Sequence, residues 1–223
     1  CILTEAVLEI EFASGNSDVH TFQLLEETWQ KKIFQYNFFC HLYLTIFSIK
    51  NKDIFYDFYK STMLYLDAKP NKAHLALAKL EAMGKLKAIV TQNIDGLHQL
   101  AGSKRVYELH GTVHRNYCMR CHEAYDTEYI LKAEGVPRCE KCGGIVKPDL
   151  VLYEEGLNEM TITASLNAIR KADVLIIGGT SLNVYPAAGF IQYYSGNKLV
   201  LINKSETPYD RKADLLVHDS IGD

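Results

Sequence analysis

The chain has 223 residues, enough for one substantial domain with a smaller appendage. Apolar residues make up 48% and charged residues 23%, and the net charge of -3 excludes a global electrostatic pull toward nucleic acid. No apolar run reaches the ~18 residues needed to cross a bilayer. The most apolar early stretch, Phe34 to Ile49, is interrupted by Gln35, Asn37 and His41 and reads as a buried helix, so neither a membrane nor a nucleic-acid partner is expected.

In chain order, Cys1 to Thr4 is a short apolar start with the character of a strand. Residues 21 to 65 are rich in aromatics and lack Gly and Pro, which predicts helix, with Ile54, Phe55, Phe58, Tyr59 and Met63 at roughly helical spacing. Pro70 then biases Lys69 away from helix, and Asn71 is placed to cap the next one. Lys72 to Met83 is amphipathic and helical, with Gly84 as its left-handed stop. Short β-branched or apolar runs predict strands at Lys87 to Thr91, Val106 to Leu109, within Val146 to Tyr153 after Pro148, at Asp173 to Gly178 and at Lys198 to Asn203. Leu166 to Lys171 and Pro186 to Tyr194 read as helices between them. This alternation predicts an α/β fold, a Rossmann-like parallel sheet with helices on both faces.

Residues 116 to 144 break the rhythm. The segment is polar and holds Cys118-Met-Arg-Cys121 and Cys139-Glu-Lys-Cys142, four of the chain's six cysteines. Two C-x-x-C knuckles at this separation match the ligand spacing of a zinc ribbon. Gly143 and Gly144 permit a tight turn after the second pair. Four unrelated thiols or two local disulfides are the alternatives, and the regular spacing argues against them. Four thiolates leave no position for water, so the zinc is expected to be structural, and its binding energy to be folding energy for the module. The cysteine usage points to a reducing compartment and a cytoplasmic location.

Several polar groups fall just past strand ends, where ligands bind in open parallel sheets. Thr91-Gln-Asn-Ile-Asp95 follows one strand, and an Asx turn linking strand to helix is its competing reading. His110, between Leu109 and Gly111, follows the next; a lone histidine is more often structural, but this one borders the cysteine module, a favoured place for a cleft. Gly178-Gly-Thr-Ser181 ends another strand with small and hydroxylated residues suited to a phosphate or ribose, and Asn203 ends the last.

Taken together, TQNIDGLHQLAGSK, ELHG, the two C-x-x-C pairs, KPDLVLYEE, GGTSLNVYPAA and the LVLIN run resemble the sirtuins, NAD-dependent protein lysine deacetylases, in order and spacing over about Lys69 to Asp219. The likeness is to the compact bacterial type. It implies NAD as cofactor, one structural zinc on Cys118, Cys121, Cys139 and Cys142, and acetylated proteins or peptides as partners. It implies His110 as the base that activates a ribose hydroxyl, Asn93 as the group that orients the ribose, and Asp95 as the contact to the nicotinamide amide, with Gln92 and Ile94 in the same pocket. Gly179, Thr180 and Ser181 match the loop for the adenine-side ribose and phosphates, and Asn203 with Lys204 and Ser205 the adenosine end. Val151 matches the strand that pairs with the substrate peptide. The acetyl oxygen then attacks the ribose carbon as nicotinamide leaves, giving deacetylated lysine and O-acetyl-ADP-ribose. The implied division is a Rossmann-like NAD-binding domain of residues 1–26, 66–115 and 145–223, a helical insertion at 27–65, and the zinc module at 116–144.

The likeness stops near the N-terminus. The family opens with a strand, a Gly-Ala-Gly turn and a Ser-Gly-Ile-Pro-Asp-Phe-Arg stretch. Here Thr4 is followed by Glu5-Ala6-Val7, where Ala6 alone matches as a cofactor contact, and Ser14 to His20 keeps Ser, Gly and Asp but has Val19 and His20 in place of Phe and Arg. The phosphate side is therefore expected to be degenerate, and a module that keeps the fold and zinc without turnover, binding acyl-lysine peptide or an ADP-ribose-like ligand, is the alternative function. A dehydrogenase reading lacks the Gly-x-Gly-x-x-Gly fingerprint.

Overall fold

The computed structural model describes residues 5–9, 52–152, 155–180, 182 and 187–222. The strand expected at Cys1 to Thr4, the helix expected over residues 21–51, the segment Ser14 to His20, and Ser181 and Pro186 lie outside them.

The described chain divides into two compact units. The first takes in residues 5–9, 67–112 and 157–222. It is built on six strands: β1 (Glu5–Glu9), β2 (Leu86–Thr91), β3 (Val106–Glu108), and, later in the chain, Val174–Gly178, Lys198–Ile202 and Leu215–Val217, which become β7, β8 and β9 once the second unit's three strands are counted. The order across the sheet is β3-β2-β1-β7-β8-β9, and every pair is parallel. The chain steps outward from β1 to β3 on one side, then returns to build β7 to β9 on the other. The reversal falls between β1 and β7, the place in such sheets where strand ends splay to form a ligand crevice.

The first strand differs from expectation. Glu5-Ala6-Val7, expected at a turn, is extended, and Ala6 sits mid-strand, level with Ala88 of β2 and Leu175 of β7. The Ala-Val-Leu run has strand character, and a segment between two parallel strands must satisfy hydrogen bonds on both edges, which an extended backbone does.

Local signals explain most of the remaining elements. Helix α2 (Lys72–Ala82) starts at Asn71, whose side chain accepts from the His74 amide at 3.1 Å while His74 reaches back to the Asn71 amide. It stops at Gly84, which has φ +71°. Helix α5 (Glu159–Arg170) begins seven residues before the predicted Leu166. Asn158 caps it through the Thr161 amide at 3.0 Å, and Ile162, Leu166 and Ile169 pack on one face against the sheet. The β-branched Thr161-Ile-Thr163 hides this start from a propensity reading, and packing overrides propensity. The core between β7, β8 and α5 is Leu175, Ile177, Leu199, Leu201 and Ile169, all buried.

The second unit holds residues 52–66 and 113–156. Helix α1 (Lys52–Phe58) runs into a π-turn at Tyr59–Met63. A three-stranded sheet has the order β5 (Ala124–Tyr125), β4 (Gly111–Cys118), β6 (Val146–Leu150), and α4 (Thr127–Lys132) follows β5. Phe55, Tyr56 and Tyr59 are buried, with the Phe55 and Tyr59 rings stacked and the Tyr56 hydroxyl on the Val146 carbonyl. β6 begins before Pro148 rather than after it and joins this small sheet rather than the large one. An outer position tolerates a proline, which has no N–H to offer a neighbour.

Removing the buried Ile177 side chain, as Ile177→Ala, is expected to cost about 2–5 kcal/mol of unfolding free energy. Urea denaturation followed by far-UV circular dichroism measures it; a cost under ~1 kcal/mol would mean that β7 is not central to the core.

Candidate functional site

The four paired cysteines converge. Their Sγ atoms all lie within 4.8 Å of one another, with Cys118–Cys142 at 3.4 Å, Cys121–Cys139 at 3.5 Å and Cys121–Cys142 at 3.4 Å. A tetrahedral site with Zn–S near ~2.3 Å places thiolates about 3.8 Å apart, so the donor set fits one zinc. Both knuckles close in the same way. The His122 amide bonds the Cys118 carbonyl at 3.0 Å and the Gly143 amide bonds the Cys139 carbonyl at 2.8 Å, with His122 and Gly143 both at positive φ. Amides of Arg120 and Cys121 point at Cys118 Sγ at 3.4 and 3.5 Å.

Three neighbours that the spacing of cysteines did not reveal complete the cluster. The Arg120 guanidinium and then the Gly144 amide hold the Cys142 thiol down to about 6, favouring the thiolate. The Tyr125 hydroxyl donates to Cys139 Sγ at 3.1 Å and lowers that thiol too. Gly144 has no room for a side chain, since a Cβ there would stand 2.8 Å from Cys118 Sγ. The Gly-Gly pair was the available signal, but its role is space beside sulfur as well as a turn.

At the large sheet, β1, β2 and β7 end level, with Glu9 opposite both Thr91 and Gly178. Past β2, the Asn93 amide bonds Thr91 Oγ1 at 3.0 Å, and Asp95 Oδ1 accepts from the Leu97 amide at 2.9 Å, opening the short helix α3 (Leu97–Leu100). The Asx turn is therefore real, and it holds Asn93 and Asp95 on one strand exit. Past β3, Leu109 continues the ladder to Thr91 and His110 follows it. His110 Nδ1 lies 3.1 Å from the Gln92 carbonyl. A carbonyl only accepts, so Nδ1 is the donor in this bond, and in the neutral ring Nε2 is then the acceptor. The Thr112 hydroxyl donates to the Ile94 carbonyl at 3.2 Å, a second tie between the two exits. Gln92 is buried, and its Nε2 has no hydrogen-bond partner among the described residues. A buried amide donor of this kind is ordinarily met by a ligand or an ordered water.

Past β7, Gly179 has φ +64° and donates to the Ile202 carbonyl at 3.0 Å, while the buried Thr180 accepts from the Leu182 amide at 2.9 Å. Past β8, the Asn203 amide bonds the Val217 carbonyl and its side chain donates to the Ser205 carbonyl at 2.8 Å; Lys204 and Ser205 are exposed. Residues 92–95, His110, Gly179, Thr180 and Asn203 thus share the carboxyl edge of one sheet. Ala6 does not: it lies inside β1, three residues short of that edge. Val151, half-buried, follows β6 in the other unit.

The profile of the Sir2 family matches residues 14–186. The chain belongs to the Sir2 family. Among its relatives, the NAD-dependent protein deacetylase of Clostridium acetobutylicum is 64% identical over 179 residues, 80% of this chain and 73% of that protein. The enzyme of the same description from Clostridium perfringens is 67% identical over 169 residues, 75% of this chain and 69% of the other. A solved structure of Sir2 bound to acetylated peptide is 35% identical, with a TM-score of 0.76 over 98% of this chain and 88% of that one. One of Sir2 with a p53 peptide and NAD+ is 33% identical, with a TM-score of 0.74 over the same shares. The fold is thus the sirtuin fold, a Rossmann-like α/β sheet with a zinc module. Among the described residues, no helix is long and apolar enough to cross a membrane.

The purified protein is expected to contain about one zinc per chain and to lose it on Cys139→Ser. Gly144→Ala, which leaves all four thiols in place, is expected to weaken zinc retention against a chelator by crowding Cys118. Metal analysis by mass spectrometry, with a chelator titration, checks both; a zinc-free wild-type protein or full retention in Gly144→Ala contradicts the reading.

Proposed function

We propose that this chain is an NAD-dependent protein lysine deacetylase working in the cytoplasm, with NAD at the carboxyl edge of the large sheet and the zinc module in the smaller unit as a structural element. The observation that carries the mechanism is the hydrogen bond from His110 Nδ1 to the Gln92 carbonyl. It makes Nδ1 the donor and leaves Nε2 of the neutral ring as a proton acceptor, on the strand exit next to the one that holds Asn93 and Asp95. NAD, when bound, supplies the ribose carbon to which the acetyl group passes as nicotinamide departs. His110 Nε2 takes the proton from a ribose hydroxyl, Asn93 orients that ribose, and Asp95 with Gln92 holds the carboxamide end. The unsatisfied Gln92 Nε2 supports a ligand there. Ile94 shapes the same pocket. Gly179, Thr180 and Ser181 serve the adenine-side ribose and phosphates, and Asn203, Lys204 and Ser205 the adenosine end, with Ser181 outside the described residues. Val151 offers its backbone to the acetyl-lysine peptide. The four thiolates of Cys118, Cys121, Cys139 and Cys142 hold the zinc and take no part in proton transfer.

His110→Ala is expected to lower the rate of peptide-dependent nicotinamide release by roughly 10²-fold or more, the range for loss of a general base. Zinc content and thermal midpoint should stay at the wild-type values. Near-normal turnover in this variant would remove His110 from the reaction.

One observation favours a second reading, a sirtuin module that binds without appreciable turnover. Glu9, not glycine, stands at the carboxyl end of the central strand, level with Thr91 and Gly178 and next to the reversal point where phosphates approach in such sheets. An acidic residue type at this strand end adds a negative charge where a pyrophosphate is expected, and like charges repel. Glu9→Gln is therefore expected to tighten NAD binding about tenfold, equivalent to ~1.4 kcal/mol. Titration calorimetry of NAD into both proteins measures it. Equal affinities would mean that the pyrophosphate lies clear of this strand end.

A further inference from the structure

The second cysteine knuckle lies in a hairpin. The Cys139 amide donates to the Gly144 carbonyl at 2.7 Å, the Gly143 amide to the Cys139 carbonyl at 2.8 Å, and the Val146 amide to the Pro137 carbonyl at 3.0 Å. Two half-buried tyrosines meet the other edge of this segment. The Tyr129 hydroxyl donates to the Arg138 carbonyl. The Glu140 amide donates to the Tyr125 hydroxyl at 2.9 Å, and that hydroxyl lies 3.1 Å from Cys139 Sγ. The two rings pack on each other, with centroids 4.3 Å apart and planes tilted by 35°.

Local structure sets both rings. Tyr125 ends β5, where it pairs with Asn116 of β4, and the buried Asn116 side chain donates to its carbonyl at 3.4 Å. Asp126 then caps α4 by accepting from the Tyr129 amide at 2.7 Å, which brings Tyr129 back beside Tyr125.

A trans peptide is planar, with its C=O and N–H pointing opposite ways. The peptide before Cys139 sends its N–H to Gly144 and its carbonyl, that of Arg138, to Tyr129. The peptide after Cys139 takes Gly143 on its carbonyl and sends its N–H, that of Glu140, to Tyr125. Both peptide planes that flank this one cysteine are thus held on two sides, by the hairpin and by a phenol. The Glu140 amide also orients the Tyr125 hydroxyl. An amide N–H only donates, so it occupies a lone pair of the oxygen, and the single hydroxyl proton goes to the sulfur.

We propose that Tyr125 and Tyr129 are positioning residues for the metal, a phenol pair that holds the second knuckle in its ligating shape while the Tyr125 hydroxyl donates a hydrogen bond to the ligand sulfur of Cys139. The inference rests on the four cysteines holding zinc. The two phenols divide the task. Tyr129 fixes backbone alone, whereas Tyr125 fixes backbone and also draws on the electron density of a zinc-bound sulfur. Four thiolates around one zinc carry a surplus of negative charge, and a hydrogen bond on sulfur disperses it. Cys118, the first cysteine of the other knuckle, is met by the backbone amides of Arg120 and Cys121. Those contacts survive side-chain substitution, but the one from Tyr125 does not.

The test uses the full chain, loaded with zinc and titrated with a chromogenic chelator, and the same chain with cobalt(II) in place of zinc, read by absorption. Tyr125→Phe keeps the ring and removes the hydroxyl. It is expected to weaken zinc affinity about tenfold, in the range for loss of a group that supports a metal ligand. Tyr129→Phe is expected to weaken it about threefold, as for one neutral hydrogen bond. The thiolate-to-cobalt charge-transfer band should move to lower energy in Tyr125→Phe, because the sulfur electrons are held less tightly without the donor, and should stay in place in Tyr129→Phe. A loss of packing alone would not separate the two variants in this way. If Tyr125→Phe fails to fold, a ring-fluorinated tyrosine in place of Tyr125 keeps the hydroxyl and makes it a stronger donor, and the band is then expected at higher energy. An unmoved band in either chain, or wild-type zinc affinity in Tyr125→Phe, overturns the phenol pair while leaving the zinc site intact. Wild-type protein that takes up neither zinc nor cobalt overturns the zinc reading, and the phenol pair with it.

Discussion

Parallel pairing of Glu5–Glu9 between Leu86–Thr91 and Val174–Gly178 is the constraint on which the larger unit rests. It closes the gap between two halves of a sheet that would otherwise each carry an unsatisfied edge. It also brings three strand ends level, so that the segments leaving them share one edge. Parallel strands need crossovers, and here the crossovers carry α2, α3 and α5 and the whole of the second unit. The polar residues after each strand therefore come from distant parts of the chain yet meet at one sheet margin.

That margin is organised by backbone carbonyls as much as by side chains. The Gln92 carbonyl sets the His110 tautomer and the Ile94 carbonyl receives Thr112. Alternate carbonyls of one exit thus bind the neighbouring exit.

The smaller unit follows a different logic. Among its described residues, Phe55, Tyr56, Tyr59, Ile130 and Val146 are buried apolar side chains. The four thiols link β4 to the turn before β6, so a metal there ties both long strands of a three-stranded sheet. Metal–ligand bonds at that point add binding free energy to the folded sheet. The absence of side-chain space at Gly144 shows how closely the second knuckle is packed on the first.

Short-range chemistry was legible in the chain before any fold was known. The spacing of Cys118, Cys121, Cys139 and Cys142 announced a four-thiolate cluster because two short knuckles need no knowledge of the rest of the chain. Asn71 and Gly84 bounded a helix because capping and positive φ are local matters. The buried strand at Val174–Gly178 could be read because a strand covered on both faces is an unbroken apolar run. The choice of partners, by contrast, came from the folded arrangement. Val146–Leu150 carries the same strand signal whether it joins the large sheet or the small one, and only long-range packing assigned it to the latter. Likewise Glu5–Glu9 has no glycine turn to mark it, but the unsatisfied edges of β2 and β7 make it the central strand. The bond from His110 Nδ1 to the Gln92 carbonyl depends on where that carbonyl points. Sequence periodicity carries no record of that direction, because hydrogen-bond geometry is set only after the backbone has closed on itself.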